Sequence, residues 1–402
     1  MTVTPDQLYQ APNALASHYS RFRVEERILL TGHSHQAWPD CSRDAQLEAW
    51  DDAAQHGEDK WSRAFAKAAH VQRAFARLTQ DPDGHYTLGE STHTLLVRWL
   101  SALSLKKNSR IVTTDGEFHS VRRQLHRLQE EGIEVHSVAS IPAADVVDKL
   151  MRGIDKRTAA VIVSSIFYHT GHRVAGLGAL AQFCHQRGVP LLVDVYHQLN
   201  VVPCDIVGDE LSGAYLIGGG YKYCQLGEGN CFLRIPRDCQ LRPVITGWFA
   251  DFQHLAAACN NAAVPYDNGP ARFAGATYDP TAHYRAARVF AFFDEQGLTP
   301  ELLHCINQHQ LTTLANRFDQ CDIDTNLIAR DQRVPLSERG GFLTFTTAFA
   351  AMLKTKLAER GVFVDHRGDT LRIGPAPYLS DRQLVEAVEQ LQQIVRGLGV
   401  AL

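Results

Sequence analysis

The sequence lacks an excess of basic residues and has no long apolar run. Its 402 residues include 40 lysines and arginines against 44 acidic residues, which gives a formal net charge of -4. Neutralising nucleic-acid phosphates requires a basic excess or a basic stripe, so the composition argues against a nucleic-acid-binding protein. No apolar segment approaches the roughly 18 residues that a membrane-spanning helix requires. With 45% hydrophobic and 21% charged residues, the chain has the composition of a globular protein.

The chain also lacks the signals of export, of a disulfide framework and of a metal site. The nine cysteines are scattered and form no C-x-x-C pair, as is typical of reduced thiols. The N-terminal segment has no basic region followed by an apolar region, so we expect no secretory signal and a cytoplasmic protein. His33 and His35 would share one face of a strand, but no third or fourth ligand is evident, and we predict no metal.

Between about residues 85 and 225, short apolar or β-branched runs alternate with segments of helical period. This alternation is typical of parallel βαβ units. The run PLLVDV is apolar on both alternating faces, which predicts a central strand covered by helices. The predicted strands have the sequences HYTL, RIVTT, AAVIVSS, PLLVDV and AYLIGG. From about residue 290 onward the pattern changes to that of a compact α+β unit. We therefore predict an α/β large domain with a mostly parallel sheet, followed by a smaller domain.

Polar residues follow three of the predicted strands, which is where ligands bind in open α/β sheets. After the first strand, Ser91, Thr92 and His93 open a helix whose free N–H groups and positive end favour a phosphate. Ordinary capping of that helix by Ser91 or Thr92 is the alternative. The segment therefore predicts either a phosphate site or a simple helix cap.

A carboxylate and a lysine stand at the ends of two further predicted strands. Asp194 ends the run PLLVDV, and a buried carboxylate is costly unless a cation or a strong donor meets it. A protonated heterocyclic nitrogen would be such a partner, and a structural salt bridge is the alternative. Lys222 follows three glycines and Tyr221, and a lysine amine in a desolvated site can form a Schiff base. The ordered set of phosphate loop, carboxylate and lysine favours a cofactor site.

The order of these motifs resembles a known family. GEST, EF, SS, DVYH and GGGYK, in that order, are similar to the fold type I pyridoxal-phosphate enzymes of the class V aminotransferase branch, and specifically to kynureninase. The resemblance extends over roughly residues 28 to 395. The other similar segments are GHS at 32–34, Glu117-Phe118, Tyr168 to Gly171, Thr246 to Phe249, RFAGATYDP, RGGFLTF and LRIGPAPYLS. It implies a pyridoxal 5'-phosphate cofactor and a homodimer with shared active sites. It also implies a large domain of residues 50–290 and a small domain of residues 1–49 and 291–402.

The resemblance implies a role for each matching residue. Lys222 would hold the cofactor and move a proton, with Tyr221 as a proton shuttle. Asp194 would pair with the pyridinium nitrogen, and His197 would lie near the ring or support Asp194. The implied cofactor-binding residues are Ser91, Thr92, His93, Phe118, Ser164, Asp194, His197, Tyr221 and Lys222, with Trp248 and Thr277 from a neighbouring subunit. The implied substrate-binding residues are Arg372, as a clamp for the α-carboxylate, with His33 and Ser34.

The activity implied is a hydrolase reaction that cleaves the Cβ–Cγ bond of kynurenine or a related γ-keto amino acid and gives alanine. The match departs from the family where selectivity could be set: the family's F-P-T/S-D has become Phe118 to Val121, and the family's asparagine has become His33. A class V aminotransferase or another pyridoxal-phosphate lyase is therefore the alternative, with a non-catalytic paralogue less favoured. A cysteine desulfurase is disfavoured because the segment RVPLSERGGFL contains no cysteine to act as the nucleophile.

Overall fold

The structure is a computed structural model and describes residues 3–106, 109–254 and 263–399. The helices in these residues are α1 (Pro5–Tyr9), α2 (Cys41–His56), α3 (Lys60–Leu78), α4 (Thr92–Ser101), α5 (His119–Glu130), α6 (Val146–Gly153), α7 (Leu177–His185), α8 (Thr281–Gln296), α9 (Pro300–Asp319), α10 (Ala350–Ala358) and α11 (Asp381–Gly399). The strands are β1 (Ile28–Leu29), β2 (His85–Gly89), β3 (Arg110–Thr114), β4 (Glu134–Val138), β5 (Thr158–Ser164), β6 (Leu191–Asp194), β7 (Tyr215–Gly219), β8 (Cys231–Ile235), β9 (Ala329–Arg330), β10 (Leu343–Thr346), β11 (Val362–Phe363), β12 (Asp365–Arg367) and β13 (Thr370–Ile373).

A seven-stranded sheet in the order β2-β8-β7-β6-β5-β3-β4 forms the centre of the fold. Its neighbouring strands are parallel except that β8 runs antiparallel to both β2 and β7. The five predicted strands are present as β2, β3, β5, β6 and β7. The sequence analysis missed β4, an edge strand whose polar residues weaken the apolar pattern, and β8, whose run CFLRI is fully buried. The mostly parallel sheet that we predicted is confirmed.

The interior strand β6 lies between β5 and β7, as its two apolar faces predicted. Leu191, Leu192 and Val193 are all buried, because helices cover both faces of a parallel sheet. The register pairs Ser164 of β5 with Asp194 of β6 and Asp194 with Ile217 of β7. The carboxyl ends of three strands therefore meet at Asp194.

A second, four-stranded antiparallel sheet has the order β12-β13-β10-β9. Strand β1 near the N-terminus pairs in parallel with β11, so the beginning of the chain packs on its C-terminal part, as expected. The predicted domain boundaries, after residue 49 and after residue 290, fall within helices α2 and α8. The division into two domains remains a prediction.

Three expectations concern a membrane-spanning helix, disulfide bonds and a metal site. Among the described helices, none combines the length and the apolar character that crossing a bilayer would require. The eight cysteines in the described ranges are all free thiols, and Cys259 lies outside those ranges. No group of three or more metal-binding side chains occurs in the described part of the chain.

Candidate active site

A cavity of about 230 Å³ opens at the carboxyl ends of β5, β6 and β7. The predicted residues that line it are Ser91, Thr92, His93, Phe118, Ser164, Asp194, His197, Tyr221 and Lys222. The sheet brings these residues together because each follows a strand and parallel strands end on the same side. The predicted catalytic residues and the predicted cofactor-binding residues of one chain therefore share one cavity.

Lys222 is a buried amine held against an imidazole. Its Nζ lies 2.7 Å from Nε2 of His197, and the residue is 5% exposed. Burial lowers the pKa of Lys222 to about 7, although the Asp194 carboxylate acts in the opposite direction. Burial and the charge of Lys222 also hold the pKa of His197 well below its ordinary value. Near neutral pH the pair therefore contains a neutral imidazole beside an amine that is partly uncharged and nucleophilic.

The lowered pKa of Lys222 predicts how its amine would react with an aldehyde cofactor. Only the neutral amine attacks a carbonyl, so the rate of uptake should rise about tenfold per pH unit below pH 7 and level off above it. Rapid mixing of the cofactor-free protein with pyridoxal phosphate, followed by visible absorption at a series of pH values, measures this profile. A rate that keeps rising toward a pH of about 10, the range of an ordinary lysine, would show that the amine is not perturbed.

Asp194 lies opposite Ser164 in the sheet, and Ser164 is hydrogen-bonded to a second carboxyl group, that of Glu117. The backbone N–H of Tyr196 donates to Oδ1 of Asp194 at 2.8 Å, while burial raises the pKa of Asp194. Ser164 donates its hydroxyl to Oε2 of Glu117 at 2.6 Å, and Thr114 donates its hydroxyl to Oε1 at 2.6 Å. Burial raises the pKa of Glu117 to about 7, and the Asp194 charge adds to this effect. Ser164, which lines the cavity, is therefore held in place by its hydrogen bond to Glu117.

The loop before α4 serves as a helix cap and also faces the cavity. Ser91 is the N-cap residue, and its Oγ accepts the backbone N–H of Thr94 at 3.1 Å. Thr92 and His93 occupy the first turn, so the positive end of α4 points into the cavity. The capping alternative is thus correct for Ser91. It does not compete with anion binding, because the remaining N–H groups of the turn need partners of their own.

Aromatic rings surround the lysine amine. The Nζ of Lys222 lies 4.5 Å from the ring centroid of Tyr196, 5.5 Å from that of Phe118 and 5.7 Å from that of Tyr221. Phe118 is fixed edge-on against Tyr168 at 5.2 Å. Burial raises the pKa of Tyr221 to about 12, so its phenol stays a hydrogen-bond donor at neutral pH. The cavity offers a flat ring a hydrophobic face and a nearby amine.

Arg372 does not present the free fork that we predicted. Its Nη1 donates to the backbone oxygen of Tyr168 at 2.7 Å, and its Nη2 donates to Oδ2 of Asp365 at 2.5 Å. The cause is the antiparallel pairing of β12 with β13, which places Asp365 directly opposite Arg372. Arg372 does not line the cavity itself. Its Nε is buried and has no hydrogen-bond partner among the described residues.

His33 lies buried beside this ion pair, and Ser34 does not join it. Nε2 of His33 is 3.8 Å from Oδ2 of Asp365, and its ring stacks on Phe342 at 4.7 Å. Within the described ranges, neither ring nitrogen of His33 has a hydrogen-bond partner. Burial, with the charge of Arg372, holds the pKa of His33 well below its ordinary value. Ser34 is not among the residues that line the cavity.

Two predicted cofactor-binding residues lie away from the cavity of their own chain. Trp248 is 45% exposed, and Thr277 is exposed. Neither lines the cavity around Lys222. They were predicted to act from a neighbouring subunit, so their positions in one chain leave that prediction open.

The sequence analysis missed several residues of the cavity. Tyr196, which lines the cavity, was inside a quoted motif but had no role, and Glu117, which bonds to Ser164 behind the cavity, was matched to a family segment without one. The remaining missed residues that line the cavity are Glu90, Ser120, Ile166, Tyr168, Glu228, Gly229 and Cys231. Proximity to the strand ends was a usable signal for Tyr196, which comes two residues after Asp194. No local pattern pointed to Cys231, because it belongs to the strand β8 that the analysis missed.

A comparison with protein families gives one match. The sequence profile of the family described as aminotransferase class-V matches residues 86–208, which include Phe118 and Asp194 but end before Lys222. A search of curated protein sequences finds no match. The family signal thus comes from the part of the chain that builds most of the large sheet.

Solved structures resemble the chain over nearly its whole length. The complex of the cystine C-S lyase C-DES with its product cysteine persulfide has a TM-score of 0.79 at 17% identity, covering 92% of this chain and 98% of that chain. The apo cysteine desulfurase from Thermococcus onnurineus NA1 has a TM-score of 0.80 at 14% identity, covering 99% and 100%. The cysteine desulfurase CsdA from Escherichia coli has a TM-score of 0.74 at 15% identity, covering 98% and 100%. These similarities confirm the predicted fold, that of the fold type I pyridoxal-phosphate enzymes.

Proposed function

We propose that this protein is a pyridoxal-phosphate-dependent lyase that acts on an amino acid. The observation that carries the proposal is the buried amine of Lys222, with its pKa lowered to about 7, in a cavity that also holds Asp194. An amine of this kind is suited to bind an aldehyde, and the carboxylate is suited to meet a protonated ring nitrogen. The class V family profile and the shared fold support the same cofactor.

The donor set of the cavity fits pyridoxal phosphate. Lys222 would hold the aldehyde, Asp194 would pair with the ring nitrogen, and the N-terminal turn of α4 would bind the phosphate. Phe118 and Tyr196 supply ring faces within 5.5 Å of the amine. When bound, the cofactor supplies an electron sink for negative charge at the substrate Cα.

The residues of this chain then bind and move protons. Lys222 would act as the base that moves the proton at the substrate Cα, and His197, whose Nε2 lies 2.7 Å from Nζ, would hold its amine in place. Tyr221 keeps its phenol proton because burial raises its pKa to about 12. The phenol is therefore available as a donor to a leaving group. A neutral, desolvated base beside a phenolic acid is the arrangement that an elimination requires.

A lyase explains the site better than a desulfurase that carries sulfur on its own cysteine. The loop from Asp331 to Glu338 contains no cysteine. Of the cysteines in the described ranges, Cys231 is the one that lines the cavity. Burial raises the pKa of its thiol to about 12, so little thiolate forms at neutral pH. The C-S lyase C-DES and the desulfurases share this fold, and only the second reaction type requires such a thiolate.

The kynureninase reaction, which the sequence resemblance implied, has weaker support. Val121 stands where that family has an aspartate, and it is buried in the core with 5% of its surface exposed. The helix α5 thus turns this position away from the cavity, and no carboxylate is present there. We keep hydrolysis of a γ-keto amino acid, and amino transfer, as alternatives that product analysis distinguishes.

The test is a substrate panel with the cofactor-loaded protein. Cysteine, cystine, serine, aspartate, kynurenine and 3-hydroxykynurenine are each incubated with the protein, and pyruvate, ammonia and alanine are measured. A lyase that eliminates a β-substituent yields pyruvate and ammonia. Alanine from kynurenine would favour the hydrolase, and amino transfer to an added keto acid would favour the aminotransferase. Either result without pyruvate would overturn the lyase proposal.

We also propose a homodimer in which each chain completes its partner's site. Trp248 and Phe252 are 45% and 49% exposed, and Val244 and Ile245 before them are 81% and 50% exposed. A group of four exposed apolar side chains is expected to be covered by another protein surface. A second copy of the chain would bring its own Trp248 and Thr277 toward a cavity that neither reaches in its own chain.

Hybrid dimers test this arrangement. The test uses two variants: Lys222→Ala, and the double variant Trp248→Ala with Thr277→Ala. Each variant should be inactive alone, because its substitutions damage both sites of a dimer. Mixed by unfolding and refolding, half of the dimers should contain one intact site, so activity should return to about one quarter of the wild-type value. Mixtures that remain inactive would show that each chain builds its site alone.

A further inference from the structure

A basic groove continues outward from the candidate active site. The groove has a volume of about 880 Å³ and shares His93 and Ser120 with the cavity around Lys222. Its wall is the exposed face of α5, with Arg122, Arg123 and Arg127 against the single acid Glu130. A ligand anchored at Lys222 and longer than the cavity would therefore extend into a positively charged surface.

Arg122 and the more exposed Arg123 are the groove arginines that have no carboxylate partner within the described ranges. Arg367 and Arg372 both bind Asp365, at 2.9 and 2.5 Å. Arg127 lies 3.3 Å from Glu130 and also pairs with Glu131. The hydrogen bond recorded for Arg122 runs instead from its Nη2 to Nδ1 of His119, at 2.8 Å.

The hydrogen bond between Arg122 and His119 leaves both side chains with an N–H group that can donate to a ligand. Because Nδ1 of His119 accepts from Arg122, the proton of the neutral ring is on Nε2, which is then a donor. Burial and the charge of Arg122 lower the pKa of His119, which keeps the ring in that neutral form. Arg122 still has further N–H groups beyond the one that it gives to His119. An anion at this point would meet a guanidinium and an imidazole N–H together.

The pair lies across Tyr168 from Arg372. The ring of Tyr168 is 5.3 Å from that of His119, and its backbone oxygen accepts from Arg372. After the effect of burial, the charges of Arg372, Arg333 and Arg122 lower the pKa of the neighbouring His169. The guanidinium groups of Arg122 and Arg372 therefore both lie near the segment Tyr168-His169 at the mouth of the cavity.

We infer that Arg122 and His119 bind a second carboxylate of the substrate, so that the substrate is a dicarboxylic amino acid. The inference rests on the proposed function, because it assumes an amino acid anchored at Lys222 with its α-carboxylate toward Arg372. A planar guanidinium binds a carboxylate through two parallel hydrogen bonds, which suits the half-buried position of Arg122.

Binding of acids and their amides to the cofactor-loaded protein tests the inference. Glutamate is compared with glutamine, and aspartate with asparagine, by the change that each causes in the visible absorption of the cofactor. The wild-type protein should bind at least one acid about 10- to 100-fold more tightly than its amide. Arg122→Gln should remove this preference and leave the affinity for the amides unchanged. Arg122→Lys keeps the charge and should recover part of it.

The matched control is Arg127→Gln, which removes a charge from the same helix and groove where two glutamates already neutralise it. This variant should keep the wild-type preference. A wild-type protein that binds the acids no better than the amides, or an equal loss in Arg122→Gln and Arg127→Gln, would overturn the inference. A protein that takes up no pyridoxal phosphate, and so never shows visible absorption, would instead overturn the proposed function. Thermal unfolding of each variant shows whether it is folded.

Discussion

Lys222→Ala should give a colourless protein that has lost turnover by about 10³-fold or more, since it removes both the covalent anchor of the cofactor and the base. The wild-type protein, by contrast, should become yellow on addition of pyridoxal phosphate. The effect should be large because the amine is preorganised. It is buried, held 2.7 Å from His197, and already partly neutral at a pKa of about 7. Visible absorption and product formation with the substrate panel measure the two effects separately.

The control for this prediction is Lys356→Ala, which removes an exposed lysine at 3.5 Å from Glu359 on helix α10. That variant should keep its colour and its activity, because an exposed pair contributes little. A Lys222→Ala protein that still turns yellow with a stable, reduction-sensitive linkage would show that another amine holds the cofactor. In that case the assignment of Lys222 would be wrong.

Arg372→Gln should weaken both substrate binding and the fold. Loss of a charge-assisted bond to a carboxylate should raise the apparent KM for the amino acid by about 30- to 1,000-fold. The same change leaves Asp365, 10% exposed, with the more exposed Arg367 as its remaining arginine partner among the described residues. Breaking a buried pair from one side costs about 3–5 kcal/mol, and the remaining Arg367 places the expected loss of unfolding free energy near the lower end.

A double substitution separates the two effects. Asp365→Asn combined with Arg372→Gln removes the uncompensated carboxylate, so the unfolding free energy should recover while the raised KM remains. Arg367→Gln is the matched control, since its side chain is 43% exposed and its loss should cost less than about 1 kcal/mol. An unchanged KM in Arg372→Gln would refute the carboxylate-binding role. An unchanged unfolding free energy would refute the structural role of the ion pair.

The pattern of the chain predicted the large sheet well, for reasons that are local. PLLVDV is apolar on both faces because β6 is covered on both sides, and each flanking run carries a similar signal. The pattern failed for β4, since an edge strand can hold Glu134, His136 and Ser137 without burying them. Lys222, Asp194 and the α4 loop were predictable because parallel strands bring their carboxyl ends to one side.

The partners of these residues could not be predicted in the same way. Asp365 lies seven residues from Arg372 in the chain, but it meets the guanidinium only because β12 folds back on β13. Glu117 matched a family segment, yet its hydrogen bond to Ser164 crosses 47 residues. The pairing of His119 with Arg122 is local to α5, but its place beside the cavity depends on the position of Tyr168. Each of these contacts arises from elements that pack together and not from a pattern within one element.

The sequence by itself determined which side chains stand at the strand ends, because alternation of strands and helices dictates a parallel sheet and so a common edge. It therefore determined that Lys222, Asp194 and the N-terminus of α4 share a site. The tertiary structure alone decided the electrostatics of that site. Burial lowers the pKa of Lys222 to about 7, Asp365 accepts a hydrogen bond from Arg372, and Arg122 in the α5 groove bonds to His119 and not to a carboxylate. Desolvation and charge pairing depend on what surrounds a group from every direction, and a linear pattern does not contain that information.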